Sequence, residues 1–200
     1  MLLYIPTDIE VQAPNLDYWL NYYNRGEADI IEVRGPCTKY ITCHESHKWP
    51  GIIHNGRYGI YDRYQYVMFM DNDVVIEDLA LFASIVYENN FEICQPATSN
   101  KNVSHKHLIK KGNGVREVPF CEIMSPCIRI DVLKDLLKNH LYKSESGWGL
   151  DLLWGKLYKN YVVDKVVMHH TRPVSSGNWI MSNGLTPFEE MQKINGSLHN

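Results

Sequence analysis

The sequence has no long hydrophobic run, no excess of basic residues and few cysteines, and each absence excludes a class of protein. No stretch reaches the roughly 18 consecutive apolar residues that a membrane-spanning helix needs. The formal net charge of −3 argues against the basic surface on which general nucleic-acid binding depends. Five cysteines are an odd number for a chain of 200 residues, so we expect reduced thiols rather than a disulfide framework.

Several sequence motifs are also absent. There is no Gly-x-Ser-x-Gly nucleophile elbow and no Gly-x-x-x-x-Gly-Lys-Ser/Thr phosphate loop, which disfavours α/β-hydrolases and P-loop nucleotidases. The Gly-rich amino terminus of sugar nucleotidylyltransferases is missing as well. No signal-peptide pattern opens the chain, so the predicted compartment is the cytoplasm. Peripheral association with a membrane stays open, as does the oligomeric state.

What is present is the composition of a globular domain, with 44% apolar and 22% charged residues. Such a chain can bury a core of ordinary size. Strand-like and helix-like segments alternate along it, which predicts an α/β fold with helices flanking a mixed, mostly parallel sheet. We expect one compact domain over residues 1–174, followed over residues 175–200 by a mobile segment and a short terminal helix.

Three segments decide the predicted topology. Apolar and aromatic residues at helical spacing predict a helix over residues 15–24, and the lack of a clear pattern over residues 35–49 predicts a loop. Residues 66–70 are Tyr-Val-Met-Phe-Met, five non-polar residues in a row. Because they do not alternate with polar ones, they predict a strand buried on both faces, as in the centre of a parallel sheet.

Asp71 and Asp73 follow this strand directly. On a continuing strand alternate side chains share a face, so we expect the two carboxylates to project together at the sheet edge where open α/β proteins bind ligands. Neighbouring carboxylates repel unless a cation lies between them. A divalent cation such as Mn²⁺ or Mg²⁺ suits oxygen ligands and can stabilise the charge of a departing nucleoside diphosphate. The alternative is that these residues only cap a turn.

The segment Tyr66-Val-Met-Phe-Met-Asp-Asn-Asp73 resembles the Asp-x-Asp signature of glycosyltransferases with the single-domain A-type (GT-A) fold. Three further segments occur in the order found in a family of short glycosyltransferase-like proteins of plants and bacteria, largely without assigned function: Phe120–Pro126, Gly147–Asp151 and His170–Val174. The resemblance spans residues 48–174. It implies a GT-A-like fold, a divalent metal, a UDP- or GDP-sugar donor and a hydroxyl acceptor, such as a glycan.

The resemblance also implies roles for individual residues. Asp71 would contact the ribose or the metal, Asp73 would ligate the metal, and His170 would complete the site. His169 would point the other way, because neighbouring residues of a strand face opposite sides. An acid at the position of Asp151 would bind the acceptor hydroxyl or take its proton, and a simple helix cap is the alternative.

Further residues are candidates for substrate contacts. Glu122 could orient the acceptor, or be a solvated strand residue. Arg172 can pair with phosphate through its planar guanidinium group. Trp148 lies between two glycines and offers a ring for stacking on a sugar. Tyr4 and Thr7, at the end of the first predicted strand, are candidates for nucleoside contact.

The sequence departs from the family in two places. Asn72 stands where the family often has a third consecutive acid, although the two acids expected to share a face are kept. Seventy residues precede Asp71, which is short for the half of a GT-A fold that binds the nucleoside. The alternative function is therefore a non-catalytic relative that binds nucleotide or carbohydrate.

Overall fold

The computed structural model describes residues 1–7, 18–24, 27–34, 37–43, 48–71, 73–174 and 177–197, with the backbone alone described for residues 2–43 and 197. Within these residues, a mixed sheet of ten strands and five helices form an α/β fold. The strands are β1 Leu2–Thr7, β2 Tyr18–Asn24, β3 Glu27–Arg34, β4 Cys37–Cys43, β5 Tyr66–Phe69, β6 Val74–Ile76, β7 Ile93–Thr98, β8 Val115–Val118, β9 Cys127–Arg129 and β10 Asn160–His170. The helices are α1 Lys48–Arg57, α2 Leu79–Asn89, α3 Ile130–Asn139, α4 Leu150–Leu157 and α5 Pro187–Ser197.

The sheet is mixed but not mostly parallel, so that part of the prediction is wrong. Its strands lie in the order β4-β3-β2-β1-β5-β9-β7-β10-β6, and β8 pairs with β10. Among the described strands, the pairs β1–β2, β1–β5 and β7–β10 are parallel. The other six pairs are antiparallel.

Two misread segments account for part of this error. The segment predicted as a helix over residues 15–24 contains strand β2, and the segment predicted as a loop over residues 35–49 contains strand β4. Four of the seven residues of β2 are aromatic, and aromatic residues favour strands over helices. Together β2, β3 and β4 form an antiparallel meander.

Strand β5 is buried on both faces, as predicted. All four of its residues are buried. Val67 and Phe69 belong to the hydrophobic cluster that contains residues of α1, α3 and α4, whereas Tyr66 and Met68 belong to the cluster that contains residues of α2. The helices therefore cover both sides of this strand, and the acidic turn that follows it starts from a rigid core.

The terminal helix α5 packs against this fold. It begins with a capping box, in which the Thr186 amide donates to Glu189 Oε2 at 2.8 Å and the Glu189 amide donates to Thr186 Oγ1 at 3.3 Å. Such a box satisfies amide groups that a helix start would otherwise leave unpaired. Ile194 of α5 is buried in the cluster that contains residues of α4.

Two further expectations concern the cysteines and membrane-spanning helices. Cys94, Cys121 and Cys127 are free and buried, in agreement with the expected reduced thiols. None of the helices in the described ranges combines the length and the apolar character that a membrane crossing needs.

Candidate active site

One cavity of about 960 Å³ brings together the candidate residues whose side chains are described. Its size is within the range of small-molecule sites. Four separate segments of the chain supply the seven predicted residues that line it: Asp71, Asp73, Glu122, Trp148, Asp151, His170 and Arg172. The tertiary structure therefore places the acidic turn and the later motifs around a single space.

Asp71 and Asp73 lie in a tight turn rather than on a continuing strand. Strand β5 ends at Phe69. The Asp71 amide donates to Met124 O at 3.0 Å, and the Val74 amide donates to Asp71 O at 3.2 Å. The alternation on which the prediction relied is therefore wrong at this point. Both acids nevertheless line the cavity, because the turn reverses the chain beside it.

Asp71 forms an ion pair with Lys48, the first residue of α1. Lys48 Nζ donates to Asp71 Oδ1 at 2.6 Å, and also to Ile123 O at 2.7 Å and Met124 O at 3.2 Å. Partial burial raises the pKa of Asp71 above its ordinary value, and the ammonium group of Lys48 only partly offsets this. Sequence reasoning missed Lys48, since no local pattern distinguishes it from other lysines.

Asp73 is paired with His170, and His169 points elsewhere. His170 Nε2 lies 3.1 Å from Asp73 Oδ2, and His170 Nδ1 lies 3.3 Å from Asn102 O. His169 Nε2 lies 2.9 Å from Glu77 Oε1 on an exposed surface. The Nδ1 side of the ring thus faces the Asn102 carbonyl. Nε2 is then the nitrogen that faces the acidic turn.

Two buried carboxyl groups, Glu122 and Asp151, lie deeper in the site. Burial raises the pKa of Glu122, and the charge of Asp71 raises it further. Burial also raises the pKa of Asp151, to about 7, against a hydrogen bond from the Leu152 amide. Asp151 is in the first turn of α4 but does not cap it, since the N-cap is Gly149. Strongly shifted carboxyls in a cleft are typical of functional sites.

Part of the cavity lining is apolar, and we call these residues the apolar wall. The Trp148 and Trp179 rings meet edge to face, with centroids 6.3 Å apart. Gly177 packs so closely on Trp148 that an added Cβ would lie 2.7 Å from the ring. Other members of this wall are Pro173, Val174, Met181, Phe188 and Met191. Sequence reasoning missed the segment around Trp179 because it is rich in Ser, Gly and Asn. The signal that could have found it is the apolar run Trp179-Ile180-Met181 inside this polar segment.

The side chains of Tyr4 and Thr7 fall outside the described ones, so their contacts with a nucleoside stay a prediction. The backbone does place their strand beside the site. Strand β1 runs parallel to β5, with Tyr4 paired to Phe69. The carboxyl ends of both strands therefore reach the same edge of the sheet as Asp71.

The residues predicted to hold a metal are of types that bind divalent cations, but their side chains are not placed around one common point. Asp71 and Asp73 offer carboxylates, and His170 offers Nε2 while Nδ1 is held by a carbonyl, the arrangement usual for a metal-binding histidine. Across the described ranges, no three His, Cys, Asp or Glu side chains are placed to hold one ion as they stand. Asp71 instead contacts the ammonium group of Lys48.

Comparison with known proteins adds information on the fold alone. No protein-family model and no curated protein matches the sequence. Among solved structures, A197 from STIV is similar, with a TM-score of 0.50 and 15% sequence identity over 92% of this chain and 91% of that chain. At this identity the similarity concerns the α/β architecture, and the chemistry of the cavity rests on its own residues.

Proposed function

We propose that the chain is a metal-dependent glycosyltransferase with a GT-A-like fold, which moves a sugar from a nucleoside diphosphate donor to a hydroxyl acceptor such as a glycan. The observation that carries this proposal is the cavity itself. Its lining includes five carboxyl groups, two imidazoles and three tryptophans. The carboxyl groups and imidazoles suit a metal with a diphosphate, and the tryptophans suit the apolar faces of sugar rings.

The donor would bind at the acidic turn. Asp71, Asp73 and His170 would hold Mn²⁺ or Mg²⁺, and Arg172 would pair with the diphosphate. When bound, the metal would act as a Lewis acid that stabilises the charge of the departing nucleoside diphosphate. The pKa of Asp71 is raised mainly by burial. This supports the assignment, because a cation beside a poorly solvated carboxylate stabilises its charged form.

The acceptor would bind near Asp151. A pKa of about 7 makes this carboxyl a stronger base than an ordinary aspartate while leaving it partly deprotonated at neutral pH. Asp151 would take the proton of the acceptor hydroxyl as the bond to the sugar forms. Glu122 would hold a second hydroxyl, and Trp148 would stack on the ring.

Thermal unfolding with Mn²⁺ and UDP or GDP tests the donor site. A ligand at about 100 times its Kd adds about 2.7 kcal/mol to the stability of the native state, so we expect a rise in Tm of roughly 5–10 °C that needs both components. Asp73→Ala should abolish the rise. Asp62→Ala is the control, because this exposed aspartate pairs with Lys134 on the surface.

Transfer and hydrolysis of UDP- and GDP-sugars then separate catalysis from binding. Turnover by the unsubstituted protein and its loss in Asp73→Ala are expected. Stabilisation without any turnover would favour the alternative, a non-catalytic binding protein. No stabilisation by any combination of metal and nucleoside diphosphate would contradict the proposal.

A further inference from the structure

Lys48 is a fixed cation inside the acidic site. An ammonium group has three N–H donors, and Lys48 Nζ has three acceptors within hydrogen-bond distance: Asp71 Oδ1, Ile123 O and Met124 O. Its side chain is only 12% exposed. The ion pair between Lys134 and Asp62 is different, since both side chains are more than half exposed, at 56% and 58%.

The position of this ammonium conflicts with a metal on the same carboxylate. Lys48 Nζ lies 2.6 Å from Asp71 Oδ1, whereas Mg²⁺ would need an oxygen at about 2.0–2.1 Å. Two cations on one carboxylate group repel each other strongly in a partly buried site. A metal on Asp71 would therefore weaken the contact between this carboxylate and the ammonium group of Lys48.

We propose that Lys48 is an exchangeable internal cation, which neutralises Asp71 while no metal is bound and leaves this carboxylate when a divalent metal binds. The inference rests on the proposed function, in which Asp71 is a metal ligand. Lys48 lines the cavity, so after the exchange its ammonium group would pair with the diphosphate of a donor. Metal binding would in this way make the charge of Lys48 available to the donor.

Titration with Mn²⁺ alone, by calorimetry, tests the exchange without any sugar donor. Lys48→Met removes the competing charge, so we expect Mn²⁺ to bind about tenfold tighter or better than to the unsubstituted protein. Lys48→Arg keeps the charge and should leave the affinity close to that of the unsubstituted protein. Lys134→Met removes the exposed lysine paired with Asp62 and should change nothing.

The proposal is overturned if Mn²⁺ binds Lys48→Met no tighter than the unsubstituted protein, if Lys48→Arg tightens binding as much as Lys48→Met, or if no variant binds Mn²⁺. Lys48→Gln replaces Lys48→Met if the latter does not fold. A crystal structure of the unsubstituted protein with Mn²⁺ gives a check without substitutions: Lys48 Nζ is expected beyond about 4 Å from Asp71 Oδ1, outside ion-pair distance, and an intact contact overturns the proposal.

The two proposals fail separately. Charge-dependent tightening without any sugar transfer would establish the exchange and reject the glycosyltransferase. Sugar transfer with an Mn²⁺ affinity that does not depend on Lys48 would do the reverse.

Discussion

Burial changes the acid strength of the carboxyl groups in the cavity. Asp71, Glu122 and Asp151 all have a raised pKa, and desolvation is the main cause for each. Desolvation disfavours the charged form of a carboxyl, and a second negative charge nearby adds to the effect. The charged forms of these carboxyl groups are therefore poorly solvated, and binding of a cation or a proton stabilises them.

Asp151→Asn should change how stability depends on pH. The pKa of Asp151 is about 7 in the folded protein against an ordinary value of 3.8, so between these values the native state binds a proton that the unfolded state does not. Stability therefore falls as pH rises from about 4 to about 7, by up to roughly 4 kcal/mol. The variant should be more stable than the unsubstituted protein at pH 8 and about equally stable at pH 4, as measured by urea unfolding.

Asp131→Asn is the control with the opposite sign. The carboxyl of Asp131 has a lowered pKa because of its hydrogen bond with Arg129, so its contribution to stability is present above the ordinary pKa and is lost as pH falls. If the free energy of unfolding depends on pH in the same way in Asp151→Asn and in the unsubstituted protein, the pKa of Asp151 is not raised. If transfer is established, Asp151→Asn should also lower kcat by about 10²–10⁴-fold, the usual contribution of a general base.

Among the elements, helix α5 is joined to the loop that carries Trp148 by one buried carboxylate. Glu190 accepts hydrogen bonds from Ser144 Oγ at 2.9 Å, from the amides of Glu145 and Ser146 at 3.0 and 2.9 Å, and from Ser146 Oγ at 2.6 Å. Burial raises the pKa of Glu190, but the hydrogen bonds from Ser146 and other donors outweigh it and the pKa is lowered. This carboxylate therefore fixes the loop before Trp148 to helix α5.

Glu190→Gln should destabilise the fold by about 2–4 kcal/mol, because an amide cannot accept all these bonds and leaves buried donors unpaired. Urea unfolding at pH 7 measures the loss. The difference should narrow as pH falls below the ordinary glutamate pKa, since the lowered pKa stabilises only the charged form. Glu117→Gln, on an exposed position of β8, should stay within about 0.5 kcal/mol. Equal effects of the two substitutions would reject this role of Glu190.

At the scale of the whole molecule, helix α1 and the loop that carries Trp148 are connected by packing in the core. Gly147 has a φ of +88°, and an added Cβ would collide with the indole ring of Trp49. Trp49 is buried and packs against Trp154 of α4, with ring centroids 5.8 Å apart. Helix α1, which brings Lys48, and the loop that brings Trp148 are therefore held at a fixed separation by packing.

Gly147→Ala should lower the free energy of unfolding by about 3–5 kcal/mol, since it combines a left-handed backbone conformation with overpacking of a buried ring. Thermal and urea unfolding measure the change. Gly112→Ala is the matched control, because nothing lies within 4 Å of its added Cβ. A stable Gly147→Ala protein with unchanged Mn²⁺ and nucleotide binding would show that this contact does not determine the geometry of the cavity.

The sequence alone determined the parts that depend on neighbours along the chain. The buried strand before Asp71 and the short terminal helix follow from hydrophobic periodicity and capping chemistry, which are local properties. The candidate residues for the site came from their chemical type and from the resemblance to the glycosyltransferase-like family. The cavity that collects them in the structure lies at the end of that buried strand.

Only the tertiary structure decided the direction of most strands, the partner of Asp71 and the apolar wall of the cavity. Strand β2 was misread because its aromatic residues fit helical spacing. Its pairing, parallel to β1 and antiparallel to β3, is not specified by the local pattern. Lys48 and Trp179 reach the site from 23 residues before Asp71 and 28 residues after Asp151. Such long-range contacts form through hydrophobic burial, which is non-directional. Local patterns in the sequence therefore do not specify which distant segments contact each other.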